Sequence, residues 1–285
     1  MKSAALEYIA ARTSGEALAA LAEGNTRVLA GGQSLVLDMT TGEANPRRVV
    51  DINRVAEFDV LAEVEGVLHV APLVRHRTFE SDAVGGALGH LLRTVVCHIG
   101  HPPIRARGTM LGSLAYAHPA AEWPVVATVL GAQLDLAGPD GCRTVMAENF
   151  FLGPFTTVRR PEELLVEVRL PTLPASTGAG FAEHRPRYAK FAEVAAMAAV
   201  TVTDGRVSAA AIGLVNAGPC PVRARAAENA LIGAAFSDAA ITLAAEAAAD
   251  LDADLSDHPE PNRGQQRNAV KVLTRRALTQ AREGM

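Results

Sequence analysis

Helix-spaced apolar residues precede two short apolar runs in the first part of the chain. The helical set lies between Ser14, a predicted N-cap, and Gly24, a predicted C-cap. Two apolar runs follow at residues 28–30 and 49–52, and both have the length of a short strand. The pattern predicts a small α/β unit over residues 1–57.

The middle of the chain mixes strand-like and helical patterns. Residues 67–70 are strand-like and residues 164–170 alternate apolar with charged side chains, whereas residues 87–98 carry apolar side chains at helical spacing. Two further strand-like runs flank residues 139–141, whose Pro-Asp-Gly sequence indicates a hairpin turn. We interpret residues 58–175 as a second α/β subdomain.

The last part of the chain opens with strand patterns and closes with helical ones. Asp204-Gly205 separates two apolar runs, which is typical of a hairpin. Helical patterns follow over residues 223–232, 238–249 and 263–282. Because Pro, Thr, Ser and Gly concentrate at 171–180, we place a domain boundary there. Residues 176–285 are predicted to form an α+β domain in which helices pack on an antiparallel sheet.

Composition narrows the class of protein. The 285 residues include 27 basic and 31 acidic side chains, for a net charge of −4, and 49% are hydrophobic. These values exclude a disordered chain and a nucleic-acid binder that relies on bulk charge. The N-terminus has no long apolar segment, and the alanine-rich stretch 192–202 is too short to span a bilayer. We expect a soluble cytoplasmic protein without membrane insertion.

The cysteines limit the redox chemistry of the chain. Cys97, Cys142 and Cys220 are widely spaced and odd in number, which argues against a disulfide framework. An iron–sulfur cluster takes about four thiolates, so this chain cannot hold one alone. His98 and His101 lie near Cys97 without a neighbouring carboxylate, and we predict no metal site there.

Two glycine-bearing loops are the candidate ligand sites. The first follows a predicted strand and reads Leu29-Ala30-Gly31-Gly32-Gln33-Ser34-Leu35. Glycines let the backbone approach a ligand closely, and successive N–H groups can surround a phosphate. An ordinary tight turn is the alternative, and the spacing does not match a dinucleotide-binding fold.

The second loop follows residues 101–108, which we predict to be a Pro- and Arg-containing loop. It presents the hydroxyls of Thr109 and Ser113 around Gly112, with Arg105 and Arg107 nearby. Solvated arginines are the alternative interpretation of that pair. Two such loops on separate subdomains suit a diphosphate that lies in a cleft between them.

In combination, these motifs resemble the FAD-binding medium subunit of molybdenum hydroxylases of the carbon monoxide dehydrogenase and xanthine dehydrogenase type. The family pattern A-G-G-x-S-L matches residues 30–35, and its following D-[IL] matches Asp51-Ile52. Its longer second motif matches residues 104–124, and further matches occur at residues 150–153, 164–165 and 218–233. The resemblance covers nearly the whole chain.

The resemblance implies a p-cresol methylhydroxylase/CO dehydrogenase flavoprotein-like FAD domain of two α/β subdomains, followed by the C-terminal α+β domain. It implies an electron-transfer subunit that takes electrons from [2Fe-2S] clusters of a small partner and passes them through FAD to an external acceptor. Substrate oxidation would occur at a molybdenum cofactor on a large partner, in a complex we expect to be a dimer of heterotrimers. No side chain of this chain is then required as a catalytic acid or base.

Roles for individual residues follow from the same resemblance. The first loop, from Leu29 to Leu35, would hold one part of the FAD pyrophosphate, and Thr109, Gly112 and Ser113 the other. The remaining contacts, to the adenosine, ribitol or ring, are assigned to Tyr116, Glu122, Leu164, Leu165, Tyr188 and Lys190. Tyr188 is a candidate for stacking on the isoalloxazine, with a half-buried strand position as the alternative.

Two positions depart from the family pattern near the second loop. Leu111 stands where the family has glycine, and His118 stands where aspartate is usual. A leucine would be strained at a positive φ and would crowd the pyrophosphate. On this interpretation, replacing Leu111 with glycine is expected to maintain or tighten FAD binding.

Two other functions remain open from the sequence. The chain could be a flavin-free scaffold subunit of the same complex, having lost the cofactor through Leu111. It could also be a stand-alone FAD-dependent NAD(P)H oxidoreductase, which would turn over NADH without an iron–sulfur partner.

Overall fold

The computed structural model describes residues 6–185, 191–256 and 262–285. Three separate main sheets follow one another along this part of the chain, and helices pack on each of them. The architecture is α+β, as predicted.

The first sheet has three parallel strands in the order β1-β3-β2. Its elements are β1 Glu7–Ala10, α1 Ser14–Ala22, β2 Thr26–Leu29, α2 Leu35–Thr41 and β3 Arg48–Asp51. The N-cap of α1 is Thr13, whose hydroxyl accepts from the N–H of Glu16, so the prediction of Ser14 was wrong by one residue. Helix α2 buries none of its side chains, so its position depends on the loop that precedes it.

The second sheet is antiparallel, in the order β4-β5-β10-β6-β7. Its segment contains β4 Leu61–Val64, β5 Val67–Val70, α3 Gly86–Val96, α4 Pro102–Arg107, α5 Met110–Tyr116, α6 Glu122–Val129, β6 Gln133–Gly138, β7 Gly141–Met146, β8 Phe151–Gly153, β9 Thr156–Thr157 and β10 Leu164–Pro171. The hairpin predicted at residues 139–141 is confirmed, because Gly138 pairs with Gly141.

Residues 101–108, predicted to form a loop, contain helix α4 instead. Pro102 and Pro103 occupy its first turn, where a missing N–H costs no intrahelical hydrogen bond. The prediction was wrong because the two prolines begin a helix rather than prevent one.

The third sheet is antiparallel, in the order β11-β12-β13-β14. Its segment contains β11 Thr177–His184, β12 Val194–Thr203, β13 Arg206–Val215, β14 Val222–Arg223, α7 Arg225–Leu231, α8 Asp238–Ala247 and α9 Asn262–Glu283. Asp204 and Gly205 both have positive φ and join β12 to β13, which confirms the second predicted hairpin.

The second and third sheets share a continuous hydrophobic core. One face of the third sheet packs on α7 and α9, and α8 packs on these two helices. Its other face, including Phe181 and Met197, joins the core cluster formed by Leu91, Val95 and the second sheet. The limits 1–57, 58–175 and 176–285 stay a prediction, since packing alone does not define them.

Strand β10 also connects two cores. Leu164 belongs to the core of the first sheet, and the adjacent Leu165 belongs to the core of the second. Successive side chains of a strand point to opposite faces, so one strand can anchor both.

No helix in the three described ranges is long and apolar enough to cross a bilayer.

Candidate functional site

The first predicted loop connects β2 to α2 with little side-chain bulk. Gly32 has φ +76°, a conformation that favours glycine. The N-cap of α2, Ser34, makes no capping hydrogen bond through its side chain. The backbone N–H groups of residues 31–34 donate to no acceptor in the part of the chain that the structure describes. The loop therefore offers four backbone donors and one hydroxyl to a ligand.

The second predicted loop is only partly a loop, because Gly112 and Ser113 lie within helix α5 and Thr109 is its N-cap. The Thr109 hydroxyl accepts from the Gly112 N–H at 3.0 Å and thereby caps the helix. That hydroxyl can still donate its own proton to a ligand. The Ser113 side chain is partly exposed and makes no hydrogen bond to the described residues. The Ser113 hydroxyl is therefore available to a ligand, whereas Thr109 is buried and its hydroxyl caps α5.

The two loops touch each other through their backbones. A Cβ placed on Gly31 would lie 2.4 Å from the carbonyl oxygen of Arg107 and 2.7 Å from Cα of Gly108. Real Cβ atoms do not approach backbone this closely, so only glycine fits at position 31 without moving a loop. The structure brings together the two loops that sequence reasoning singled out separately.

A buried histidine supports the second loop from behind. Burial, with added repulsion from Arg105 and Arg75, lowers the pKa of His76 to about 3, so its ring is neutral. Its Nδ1 accepts from Trp123 Nε1 at 2.9 Å, which leaves the proton on Nε2. The ring packs against Gly108, where an added Cβ would lie 2.6 Å from Nε2.

The structure contradicts the expectation that Leu111 strains the loop or crowds a pyrophosphate. Leu111 lies within helix α5, is not among the positive-φ residues, and its side chain is 2% exposed in the core of the second sheet. Its side chain points away from the ligand face because the α5 register turns it inward.

Arg105 also has a role that the sequence did not indicate. It is buried, pairs with Glu80, and donates to the carbonyls of Ile99 and Gly100 at 3.1 and 3.2 Å. It therefore stabilises the preceding turn, whereas the Arg107 side chain is exposed beside the loop.

Tyr116 is the predicted contact residue that links the helices behind the two loops. Its hydroxyl donates to Asp38 Oδ1 at 3.0 Å and so ties α5 to α2. Burial and the Asp38 carboxylate raise the pKa of Tyr116 to about 12, so the hydroxyl keeps its proton.

Glu122 lies in the first turn of α6 and is buried. Burial raises the pKa of its carboxyl to about 8, and the nearby Glu183 adds to the rise. The residue is therefore an uncharged hydrogen-bonding group at neutral pH, rather than an exposed carboxylate.

The remaining predicted contacts fall in cores or outside the described ranges. Leu164 and Leu165 are buried in the first and second cores, and little of either side chain is exposed. Tyr188 and Lys190 lie outside the described residues.

Sequence reasoning missed an aromatic cluster next to Tyr116. The rings of His118 and Phe191 stack at 3.7 Å with an interplanar angle of 12°, and Phe155 meets both Tyr116 and His118 edge-on. Phe155 and Phe191 are 54% and 55% exposed. Exposed aromatic faces of this kind suit a planar aromatic ligand or partner. The only sequence signal was the replacement of the usual aspartate by His118.

Two polar residues behind the loops were also missed. Asn53 Nδ2 donates to the Ala30 carbonyl at 2.9 Å, and Arg75 Nη1 donates to the Arg107 carbonyl at 2.5 Å. Neither belongs to a local motif, so no sequence pattern pointed to them.

The arrangement suits an anion held by backbone groups. The first loop offers backbone N–H groups and α5 offers the Ser113 hydroxyl, and the two loops are in backbone contact at Gly31. No group of three or more potential metal ligands occurs within the described ranges. His98, considered with Cys97 and His101, lies 2.7 Å from Glu183 instead.

Comparison with known proteins identifies the two parts of the chain. Residues 4–173 match the family model described as the FAD-binding domain in molybdopterin dehydrogenase. Residues 179–281 match the model described as the CO dehydrogenase flavoprotein C-terminal domain.

Individual relatives agree over most of the chain. The carbon monoxide dehydrogenase medium chain of Hydrogenophaga pseudoflava is 31% identical, with 85% of each chain covered. Caffeine dehydrogenase subunit beta of Pseudomonas sp. (strain CBB1) is 34% identical, with 82% of this chain and 80% of the relative covered. The structure of reconstituted CO dehydrogenase from Oligotropha carboxidovorans superimposes with a TM-score of 0.92 at 28% identity, covering 100% of both chains. The chain therefore belongs to the family of FAD-binding subunits of molybdopterin dehydrogenases, with the C-terminal domain of the CO dehydrogenase flavoproteins.

Proposed function

We propose that this chain is the FAD-binding electron-transfer subunit of a heterotrimeric molybdenum hydroxylase. The observation that carries the proposal is the backbone contact between the loops at Gly31, which brings the unpaired N–H groups of the first loop next to the second loop. A diphosphate is the part of FAD that needs donors from two sides at once. Family membership supports FAD as the molecule that contains it.

The residues present fit this cofactor. The loop from Leu29 to Leu35 would hold one part of the pyrophosphate through its N–H groups and the Ser34 hydroxyl. Thr109, Gly112 and Ser113 would hold the other part. Further contacts to the adenosine, ribitol or ring are proposed for Tyr116, Glu122, Leu164, Leu165, Tyr188 and Lys190.

When bound, FAD supplies a carrier that can accept electrons from iron–sulfur clusters and pass them to an external acceptor. The protein residues contribute binding and orientation. Buried His76 and Trp123 keep the second loop in place, and the neutral Glu122 can donate or accept a hydrogen bond without adding negative charge.

The partner subunits follow from the cysteines and from the relatives. Cys97, Cys142 and Cys220 are free thiols scattered over the chain, so the clusters belong to another polypeptide. We propose a small [2Fe-2S] subunit and a large molybdenum-cofactor subunit, assembled as a dimer of heterotrimers. Free thiols also support a cytoplasmic location.

We propose the limits 1–57 and 58–175 for the two FAD-binding subdomains and 176–285 for the C-terminal domain. Three successive sheets support this division.

The test is to purify the full chain and measure its flavin content. We expect one FAD per chain, visible in the absorption spectrum and released on denaturation. We also expect the flavin to be reduced by a partner carrying [2Fe-2S] clusters. A colourless protein that binds no added FAD would support the scaffold alternative. Turnover of NADH by the chain alone would support the stand-alone oxidoreductase.

A further inference from the structure

A chain of side-chain hydrogen bonds runs behind the two loops and joins them. It begins at Asn53, just after β3. Asn53 Nδ2 donates to the carbonyl of Ala30 at 2.9 Å, and its orientation is fixed by the Asp51 carboxylate, which accepts from Nδ2 at 2.6 Å and from the Asn53 backbone N–H at 2.8 Å. The first loop is thereby attached to Asn53 immediately before Gly31.

Arg75 carries the connection to the second loop. Its Nη2 donates to Asn53 Oδ1 at 2.5 Å, and its Nη1 donates to the Arg107 carbonyl at 2.5 Å. The planar guanidinium can serve both acceptors at once, which a lysine ammonium on a single nitrogen does not reproduce. The backbone adds to this contact, because Arg75 forms a β-bridge with Thr109.

The chain of hydrogen bonds ends at the atom where the two loops touch. The Arg107 carbonyl that accepts from Arg75 is the same atom that would lie 2.4 Å from a Cβ on Gly31. Arg75 therefore holds the carbonyl against which the first loop rests, while Asn53 holds the first loop from its other side.

We infer that Arg75, oriented by Asn53, is a positioning residue that sets the separation of the two loops for a single diphosphate. This inference rests on the proposed function. Arg75 is attached to the backbone behind the ligand donors and acts through them.

The experiment measures FAD affinity of the purified full chain by flavin fluorescence, together with urea unfolding of the FAD-free protein. The variants are Arg75→Met, Arg75→Lys, Asn53→Ala and the double variant Asn53→Ala/Arg75→Met. Arg77→Met is the matched control, since Arg77 is exposed two residues away and makes no side-chain hydrogen bond to the described residues.

We expect Arg75→Met to raise the Kd for FAD by about 10- to 100-fold, because it removes two charge-assisted hydrogen bonds. Arg75→Lys should lie closer to Arg75→Met than to wild type, since one nitrogen does not bridge both acceptors. The double variant should lose less affinity than the sum of the two single losses, because both single variants already lack the Arg75–Asn53 hydrogen bond. Arg77→Met should bind FAD as wild type does.

Lower urea stability of Arg75→Met with unchanged FAD affinity would overturn the inference, because a residue with a merely structural role affects stability and not FAD affinity. Additive losses in the double variant would also overturn it. If Arg75→Met does not fold, FAD affinity and urea stability are compared for Arg75→Lys and Asn53→Ala instead. Lower stability with unchanged FAD affinity in both of these variants would again overturn the inference. A wild-type chain that binds no FAD overturns the proposed function itself, and the inference with it.

Discussion

At the scale of single residues, the proposed site depends most on Gly31, because a glycine has no side chain to separate the two loops. Gly31 rests on the Arg107 carbonyl, and a methyl group there must separate the two loops. We expect Gly31→Ala to raise the Kd for FAD at least about tenfold, since donors displaced by a few tenths of an ångström no longer reach one ligand. Fluorescence titration of the folded variant measures this.

The control for Gly31→Ala is Gly85→Ala. An added Cβ at Gly85 meets nothing within 4 Å, and the residue does not have positive φ. Equal FAD affinities of Gly31→Ala and Gly85→Ala would contradict the assignment of the loops.

For Leu111 we expect a substitution to change stability rather than FAD affinity. Its side chain is in the core, so Leu111→Ala should lower the free energy of unfolding by about 2–5 kcal/mol through the lost contacts and the cavity. The folded variant should keep its FAD affinity within about threefold, because the ligand face of α5 is unchanged. Urea unfolding and FAD titration separate the two effects, and tighter FAD binding would restore the idea that Leu111 crowds the cofactor.

The residues that could be predicted from the sequence are those with a local signature. Gly31, Gly32 and Ser34 stand together after a strand, and their roles depend on neighbours in the chain. Arg75 and Asn53 are 22 residues apart, and each contacts a loop on a different sheet. Their side chains acquire a role only after the sheets pack, so periodicity and motifs do not reveal it.

At the scale of elements, turns with local chemistry were predicted, whereas the three short helices near the two loops were not. Both hairpins followed from their Gly-containing turns, which fix the backbone without help from the rest of the chain. Helices α2, α4 and α5 have only six or seven residues each. Helices this short are not stable alone, so tertiary contacts decide them.

Helix α6 contains a buried carboxyl group, that of Glu122, whose titration can be measured through the free energy of unfolding. Burial raises the pKa of Glu122 to about 8 from its ordinary value of 4.5. Between these values the folded chain holds a proton that the unfolded chain releases, so this residue lowers stability as the pH rises. Glu122→Gln does not titrate. Its free energy of unfolding, relative to wild type, should increase by roughly 2–4 kcal/mol from pH 5 to pH 8.

Urea unfolding at several pH values checks this expectation. Glu63→Gln, at an exposed carboxylate of β4, is the matched control for removing a carboxylate outside the core. A difference between Glu122→Gln and wild type that stays constant with pH would show that the buried carboxyl does not titrate in this range.

At the scale of the whole molecule, the proposed FAD site joins two sheets that are built separately. FAD at 100 times its Kd should stabilise the folded chain by about 2.7 kcal/mol, because it binds only the folded state. On the proposed assignment both loops contact FAD, so amide hydrogen exchange should slow in the first and second sheets together. Slowing confined to one sheet would contradict a ligand shared between the loops, and β13 and β14 serve as the internal reference.

The contact of Leu164 with the first core has a consequence for how the protein is made. The other members of that core lie between Ala11 and Leu73, so the ribosome must add roughly ninety further residues before Leu164 exists. At ~5–20 residues per second this delay is on the order of 5–20 s. During that interval the first loop is already synthesised, but the sheet that carries it lacks part of its packing. We therefore expect cofactor loading to be a late event in biosynthesis that follows assembly of the second sheet.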